Sequence, residues 1–435
     1  MTTNENAANI PIPNKRIRVY TTGERLLLVA ALVVAVLFDR LMFAPLLAHT
    51  RYYPLFAGAF WLCFLGLFCL FFWRKLRRNR VAWYVAGCVA ALCLWGFFFW
   101  RGSSHGYFGL FNHAVIPGVL MALVVFVAGE FSLKDASGIA RAWLRGWFIK
   151  PFSGIPDLFG VMGSLLAGEN KSTAKKVAIG VGVTLPLLLI LLPLLANADV
   201  AFGYHMAQFF RRWDFASLVG HTTVVIFAFG FFYSFLWNAQ YNAREKTAPG
   251  LRATQGIDAV ISGIVLGTVI VLYILFCAVM FTYLFAGAGL PGGMTYYEYA
   301  RQGFAQTVAV CAINLLIYAV FLHYGKGGRA LRGLLVGLLA LTGVMLFSGF
   351  VRLGLYIDAF GMTWLRLISA WFIIYLAAVI FICLARIWKE KLPAIALCAL
   401  LLLGWYVALG YLNPDGFIAW YNARFGYDVW VLVGW

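Results

Sequence analysis

The sequence has few charged residues, and acidic residues are the scarcest among them. Only 11% of its 435 residues are charged, with 16 Asp and Glu against 34 Lys and Arg, whereas 63% are hydrophobic. A soluble globular domain carries about 25% charged residues. A disordered or nucleic-acid-binding chain with a net charge of +18 would be poor in apolar residues. The composition therefore excludes these classes and a nucleic-acid partner, and it leaves an integral membrane protein.

The sequence also lacks the motifs of catalytic and cofactor sites. It contains no HExxH zinc motif, no GxSxG nucleophile elbow and no phosphate-binding glycine loop. None of its eight cysteines belongs to a Cys-x-x-Cys pair, so neither a disulfide framework nor a zinc site is indicated. The histidines form no paired ligand set for haem. We therefore expect no cofactor and no metal, and an enzyme is less favoured than a binding or transport protein.

Eleven apolar stretches are long enough to cross a bilayer core of about 30 Å, which takes about 20 helical residues. They run approximately over residues 26–48, 54–73, 81–100, 113–130, 177–196, 217–237, 257–285, 304–323, 333–350, 365–385 and 393–412. The sequence thus predicts an all-α fold, a polytopic membrane bundle of about eleven transmembrane helices embedded in a lipid bilayer.

Most of the 34 basic residues lie in alternate connections. They occupy the N-terminal arm and the loops that follow the second, fourth, sixth, eighth and tenth stretches. The positive-inside rule then predicts a cytoplasmic N-terminus, and an odd number of spans predicts a C-terminus outside. We also expect these basic inner loops to bind anionic lipid headgroups.

This topology divides the chain into five segments. They are a cytoplasmic arm (residues 1–25), N-terminal membrane helices (26–130), a cytoplasmic basic segment (131–176), C-terminal membrane helices (177–412) and an outer tail (413–435). Within the basic segment, Arg141 and Arg145 are four residues apart and share a helical face, while Trp143 and Trp147 lie off that face. The pattern predicts an interfacial helix over residues 139–149.

Polar residues gather in four segments on the predicted outer side, each of which mixes a carboxylate with Arg or Asn and aromatic residues. The candidate site consists of Asp199, Glu298, Arg301, Arg352, Tyr356, Asp358, Arg366, Asn413, Asp415 and Asn422. Opposite charges beside a low-dielectric slab are expected to pair. Two interpretations remain open, a set of contacts that clamps the outer helix ends and a binding or catalytic pocket that opens outward.

Four motifs in the same segments resemble a family. They are Ala-Asp-x-x-Phe202, Tyr297-x-Tyr-Ala-Arg-x-Gly-Phe304, Arg352-x-x-x-Tyr356 followed by Phe360-Gly-x-Thr-x-x-Arg366, and Asn413-Pro-Asp-x-x-Ile-Ala-x-x-Asn422. Together they resemble bacterial multi-pass membrane proteins filed as domains of unknown function, of the DUF4173 or DUF4153 type, over roughly residues 195–425. The resemblance implies a bacterial cytoplasmic membrane location and carries no activity or catalytic residues.

Three functions remain open from the sequence. The number of spans favours a transporter or permease for a small molecule or lipid. The missing catalytic motifs favour a non-catalytic sensor or an assembly partner of another membrane protein. The outer carboxylates and arginines favour a membrane enzyme that acts on an envelope or lipid substrate. The sequence determines neither the ligand nor the oligomeric state.

Overall fold

The computed structural model describes residues 21–50, 52–99, 107–129, 131–166, 215–241, 256–284, 304–326 and 328–427, together with nine single positions between 184 and 208. The helices are, in chain order, α1 Thr22–Phe38, a π-helix Asp39–Phe43, α2 Ala44–Leu47, α3 Tyr53–Phe71, α4 Trp73–Leu76, α5 Arg80–Phe99, α6 Tyr107–Ala128, α7 Ala136–Phe148, α8 Lys150–Ser153, α9 Ile155–Leu166, α10 Phe215–Tyr241, α11 Ala259–Leu284, α12 Phe304–Tyr324, α13 Gly328–Phe360, α14 Trp364–Trp388, α15 Ala394–Tyr411 and α16 Pro414–Phe425.

Ten helices in this part of the chain are long and apolar enough to cross a membrane. They correspond to ten of the eleven predicted stretches, and the remaining stretch, 177–196, lies almost wholly outside the described residues. The prediction of an all-α, multi-pass membrane bundle is confirmed. The predicted helix over residues 139–149 is also present, as α7, with Arg141 and Leu144 exposed. Its position at a membrane surface remains a prediction.

Contacts divide the chain into two compact units. Unit 1 comprises Met1–His49 and Arg145–Ala243. In this unit α1 packs against α10, and α8 and α9 pack against the other part of α10. Buried Ser234 and Asn238 on α10 both donate to the carbonyl oxygen of Lys150, each at 2.8 Å. These bonds satisfy a backbone carbonyl beside buried side chains, and they attach α8 to α10.

Unit 2 comprises Thr50–Leu144 and Arg244–Trp435. Its main core lies between α11, α12, α13 and α14 and is built mostly from leucine and isoleucine. One polar chain crosses this core. Tyr273 donates to the Asn314 amide oxygen at 2.7 Å, and the Asn314 amide nitrogen donates to the Thr342 hydroxyl at 2.9 Å. Hydrogen bonds of this kind hold membrane helices in one register, because the alternative partners are lipid tails.

A second group of helices in unit 2 is formed by α3, α5, α6 and α15. The helices α3 and α5 approach closely at Gly58 and Gly96, where an added Cβ would come within 2.6 Å of the Cys93 carbonyl and 2.8 Å of the Pro54 carbonyl. Buried Trp95 on α5 donates to the Gly410 carbonyl at the end of α15 at 3.0 Å. Small residues thus let the backbones touch, and an indole N–H fixes the neighbouring helix.

Unit 2 has two ends that matter for function. At the Gly361 end, α13 stops and α14 begins, and α16 packs against α14. At the Glu390 end, α14 stops and α15 begins, and Glu390 pairs with Arg332 near the start of α13 at 2.5 Å. The 33 residues of α13 span about 50 Å, which exceeds a bilayer core of about 30 Å. The helix α13 is therefore long enough to extend beyond the hydrocarbon layer.

Candidate functional site

The Gly361 end contains most of the outer residues that the sequence singles out. The helix α13 continues to Phe360 and ends at Gly361, whose φ of 75° suits glycine. The guanidinium of Arg366 donates to the carbonyl oxygens of Phe360, at 2.8 Å, and Gly361. It also lies 4.1 Å from the centroid of the Tyr356 ring. Arg366 thus neutralises the carbonyl end of α13 and stacks on its last turn.

Asn422 joins α16 to the connection between α13 and α14. Its amide oxygen accepts from the Met362 N–H at 2.7 Å, and its amide nitrogen donates to the Met362 carbonyl at 2.9 Å. Asn422 is only 2% exposed and Met362 only 6%. The Asn422 side chain therefore satisfies both the backbone N–H and the backbone carbonyl of Met362, a buried residue that lies between two helices.

Asn413 and Asp415 occupy the first turn of α16. Asn413 adopts a left-handed conformation, with φ 48°, and its side chain accepts from the Gly416 N–H. One carboxylate oxygen of Asp415 accepts from the indole N–H of Trp364 at the start of α14. The other oxygen, Oδ2, is buried and has no hydrogen-bond partner among the described residues. The Asn-Pro-Asp motif thus caps α16 and attaches it to α14.

Asp358 and two tyrosines provide a third attachment. The Tyr421 hydroxyl donates to the Asp358 carboxylate at 3.5 Å, and the Tyr427 hydroxyl donates to the Asp358 carbonyl. Partial burial raises the pKa of Tyr421, and the charge of Asp358 raises it further. A raised pKa keeps this phenol protonated and able to donate over the physiological pH range.

The structure therefore brings six of the ten predicted site residues together, on α13, α14 and α16. They are Tyr356, Asp358, Arg366, Asn413, Asp415 and Asn422. Arg352 lies two turns before the end of α13 and is 8% exposed. Asp199 belongs to unit 1, and its carboxylate accepts locally from the Phe202 N–H at 2.7 Å. Glu298 and Arg301 lie outside the described residues.

The expected pairing of opposite charges takes a different form at Arg366. Its guanidinium binds backbone carbonyls instead of a carboxylate, because the last carbonyls of a helix have no intrahelical partner. Sequence reasoning also missed Trp364, Tyr421 and Tyr427, which bind the predicted carboxylates or the adjacent backbone. The only signal for them is the presence of aromatic residues in the same motifs.

A cavity of about 680 Å³ lies at the Glu390 end of unit 2. Its walls come from the C-terminal halves of α12 and α14, the first turns of α15 and residues 133–136. The deep part is apolar and includes Leu315, Val379 and Cys398, whereas Lys134 and Arg386 lie at its polar rim. The sequence analysis did not predict this cavity, because it forms between segments that are distant in the chain.

Unit 1 contains a contact between a buried carboxylate and a histidine that was not predicted from the sequence. Asp39 is 2% exposed and begins the π-helix that follows α1. Its Oδ1 atom lies 2.7 Å from Nδ1 of His221 on α10, and its Oδ2 atom lies 3.6 Å from Nε of Arg40. The ring of Phe43 meets the His221 ring edge-on. A π-turn frequently marks a functional position, and here it places Asp39 opposite α10.

Comparison with known proteins identifies a family. The family model described as Domain of unknown function (DUF4153) matches residues 87–425, which is more than half of the chain and includes the cavity and the six clustered outer residues. No curated protein matches. No solved structure matches. The resemblance drawn from the outer motifs is confirmed, and the chain belongs to the DUF4153 family of multi-pass membrane proteins.

Proposed function

We propose that this chain is a permease of the bacterial cytoplasmic membrane that moves a membrane-soluble small molecule or a lipid. The observation that carries the proposal is the cavity at the Glu390 end. Its volume of about 680 Å³ falls within the roughly 300–1,000 Å³ of small-molecule sites. Its walls belong to three helices that are long and apolar enough to span a bilayer. A ligand can therefore enter it from the membrane.

The charges at the two ends of unit 2 support an orientation. The Glu390 end holds Lys326 and Lys391 in the connections between α12 and α13 and between α14 and α15, and it holds Arg332 near the start of α13 and Arg386 in the last turn of α14. An excess of Lys and Arg marks the cytoplasmic side of a membrane protein. On this proposal the cavity opens toward the cytoplasmic leaflet and the Gly361 end faces outward.

The outer polar residues support a structural role. Arg366, Asn422 and Asp415 bind backbone groups or an indole of neighbouring helices. A general acid, base or nucleophile needs its polar atoms directed toward a space that a substrate can occupy. Contacts that attach helices to one another use those atoms for packing, so the enzyme hypothesis has less support than transport.

A flux assay tests the proposed function. Purified protein in vesicles that contain fluorescent phosphatidylglycerol or fluorescent phosphatidylethanolamine should accelerate movement of at least one probe between leaflets. Ala319→Trp places a bulky side chain in the cavity wall and should abolish this acceleration. Ala340→Trp is the matched control, because Ala340 is an equally exposed alanine that lines a separate groove between α13 and α14. Rates equal to those of empty vesicles would contradict the proposal.

A further inference from the structure

The rim of the cavity at the Glu390 end is basic. Lys134, Arg386 and Lys391 line it, and Glu390 is the one carboxylate among the lining residues. Glu390 already pairs with Arg332, which lies outside the lining, at 2.5 Å. No carboxylate in the described ranges lies within 4.0 Å of the charged nitrogens of Lys134, Arg386 or Lys391. The rim therefore carries a positive charge that the described carboxylates leave uncompensated.

The interior of the cavity is apolar. Leu315, Val379, Ile395 and Cys398 form its walls. Tyr318 also lines it, but its hydroxyl donates to the Cys383 carbonyl at 2.7 Å and the side chain is 4% exposed. A free inorganic anion would bind the rim and leave these walls without a partner. A ligand that fills the cavity therefore needs hydrocarbon as well as negative charge.

The positions of rim and wall match the depth profile of a lipid. Val379 and Arg386 are seven residues apart on α14, which is about 10 Å along the helix. The basic rim lies where α14 ends, next to Trp388. This tryptophan is 65% exposed, and exposed tryptophans are enriched at the headgroup level of a membrane. The walls continue from there along the apolar spans. This is the arrangement of a basic pocket between helices that binds a lipid headgroup.

We infer that the cavity binds an anionic phospholipid, with its phosphate at Lys134, Arg386 and Lys391 and its acyl chains along Leu315 and Val379. The inference rests on the proposed function, since it names the ligand class of the same cavity. Charge complementarity selects the headgroup, and the apolar walls select a lipid over a soluble phosphate.

Native mass spectrometry of the purified full chain tests the inference. The protein is titrated with phosphatidylglycerol in competition with phosphatidylcholine of the same acyl chains. One basic residue near a membrane surface contributes about fivefold in affinity, which corresponds to about 1 kcal/mol. We expect a preference of at least about tenfold for phosphatidylglycerol. Equal retention of the two lipids by the unmodified chain overturns the inference without any variant.

A matched pair of triple variants tests the position of the site. The rim variant Lys134→Gln, Arg386→Gln, Lys391→Gln should reduce the preference to within about twofold. The control variant Lys326→Gln, Arg329→Gln, Lys389→Gln removes the same charge at the same end from residues outside the cavity lining, and it should keep the preference. An equal loss in both variants would show a diffuse surface effect and overturn the inference. If the rim triple does not fold, Lys391→Gln alone should lower the preference about fivefold.

Soluble phosphates distinguish the ligand source, and flux distinguishes the two proposals. Glycerol 3-phosphate and inorganic phosphate lack acyl chains and should not displace bound phosphatidylglycerol. If either compound displaced the lipid when added at the same concentration as phosphatidylglycerol, the site would bind soluble phosphate and the inference would be overturned.

Headgroup preference without flux contradicts the permease proposal alone, whereas flux without headgroup preference contradicts the lipid inference alone.

Discussion

Asn422→Leu should release α16 from the Gly361 end. The substitution keeps the number and branching of the side-chain heavy atoms and removes both hydrogen bonds to Met362, which are 2.7 and 2.9 Å long. It leaves the Met362 N–H and carbonyl buried without a partner, because Met362 is 6% exposed. Each buried group left unsatisfied costs about 1–3 kcal/mol, so the pair should destabilise the attachment of α16 by about 2–6 kcal/mol.

Hydrogen exchange measures this local attachment directly. A loss of about 2–6 kcal/mol increases the opening of a segment by about 30-fold to about 25,000-fold. The increase should extend over the amides of α16, since Asn422 holds that helix as a body. The bonds from Trp364 to Asp415 and from Tyr427 to Asp358 remain, so opening of α14 should change little.

Arg424→Gln is the matched control, since Arg424 is an exposed residue on the same helix. It should leave exchange in α16 within about twofold of the unmodified chain, as surface substitutions usually cost less than about 0.5 kcal/mol. Faster exchange of the Met362 amide alone would refute the reasoning. It would show that Asn422 satisfies one backbone group and does not hold α16.

Two further predictions concern the same end and unit 1. Gly361→Ala should lower the midpoint of thermal unfolding in detergent. An added Cβ would lie 2.9 Å from Asn422 Oδ1, and a φ of 75° costs a residue with Cβ about 1–2 kcal/mol. The control Gly343→Ala, which has open space around the added Cβ, should leave the unfolding midpoint unchanged. In a double-mutant cycle of Asp39→Ala and His221→Ala, followed by unfolding in denaturing detergent, the coupling free energy should be at least about 0.6 kcal/mol, the average for hydrogen bonds between membrane helices. Additive effects would mean that the 2.7 Å contact contributes nothing.

The spans could be predicted because they depend on a local quantity. About 20 apolar residues in succession cross a bilayer whatever their neighbours are. The ends of the helices depend on other forces, as α13 shows. The apolar stretch 333–350 predicts the membrane part of α13, yet the helix begins at Gly328 and continues to Phe360. Outside the bilayer core, packing and the glycine at position 361 determine where it stops.

The partners of the polar residues could be predicted only in part. Motif spacing identified Asn422 and Arg366, but their partners are backbone groups around Gly361, which a sequence does not display. Asp39 and His221 are 182 positions apart, and their contact depends on the packing of α1 against α10. Hydropathy treats Asp39 as an interruption of a span, and nothing local indicates which helix supplies its partner.

The two ends of unit 2 differ in the partners of their charges, and this difference supports the proposal that the cavity is the functional site. Arg386 at the Glu390 end donates to the Lys389 carbonyl at 3.2 Å, much as Arg366 donates to backbone carbonyls at the Gly361 end, so the difference lies in the lysines. At the Gly361 end, the guanidinium of Arg366 and the carboxylate of Asp415 are bound to groups of neighbouring helices. At the Glu390 end, Lys134 and Lys391 lie beside a cavity of about 680 Å³, and no carboxylate of the described residues lies within ion-pair distance of them. A charge that stabilises a fold needs a partner within the fold, whereas a charge that binds a ligand must keep its partner outside it. On the proposed function, the lysines at the Glu390 end provide charge that is available to an anion in the cavity.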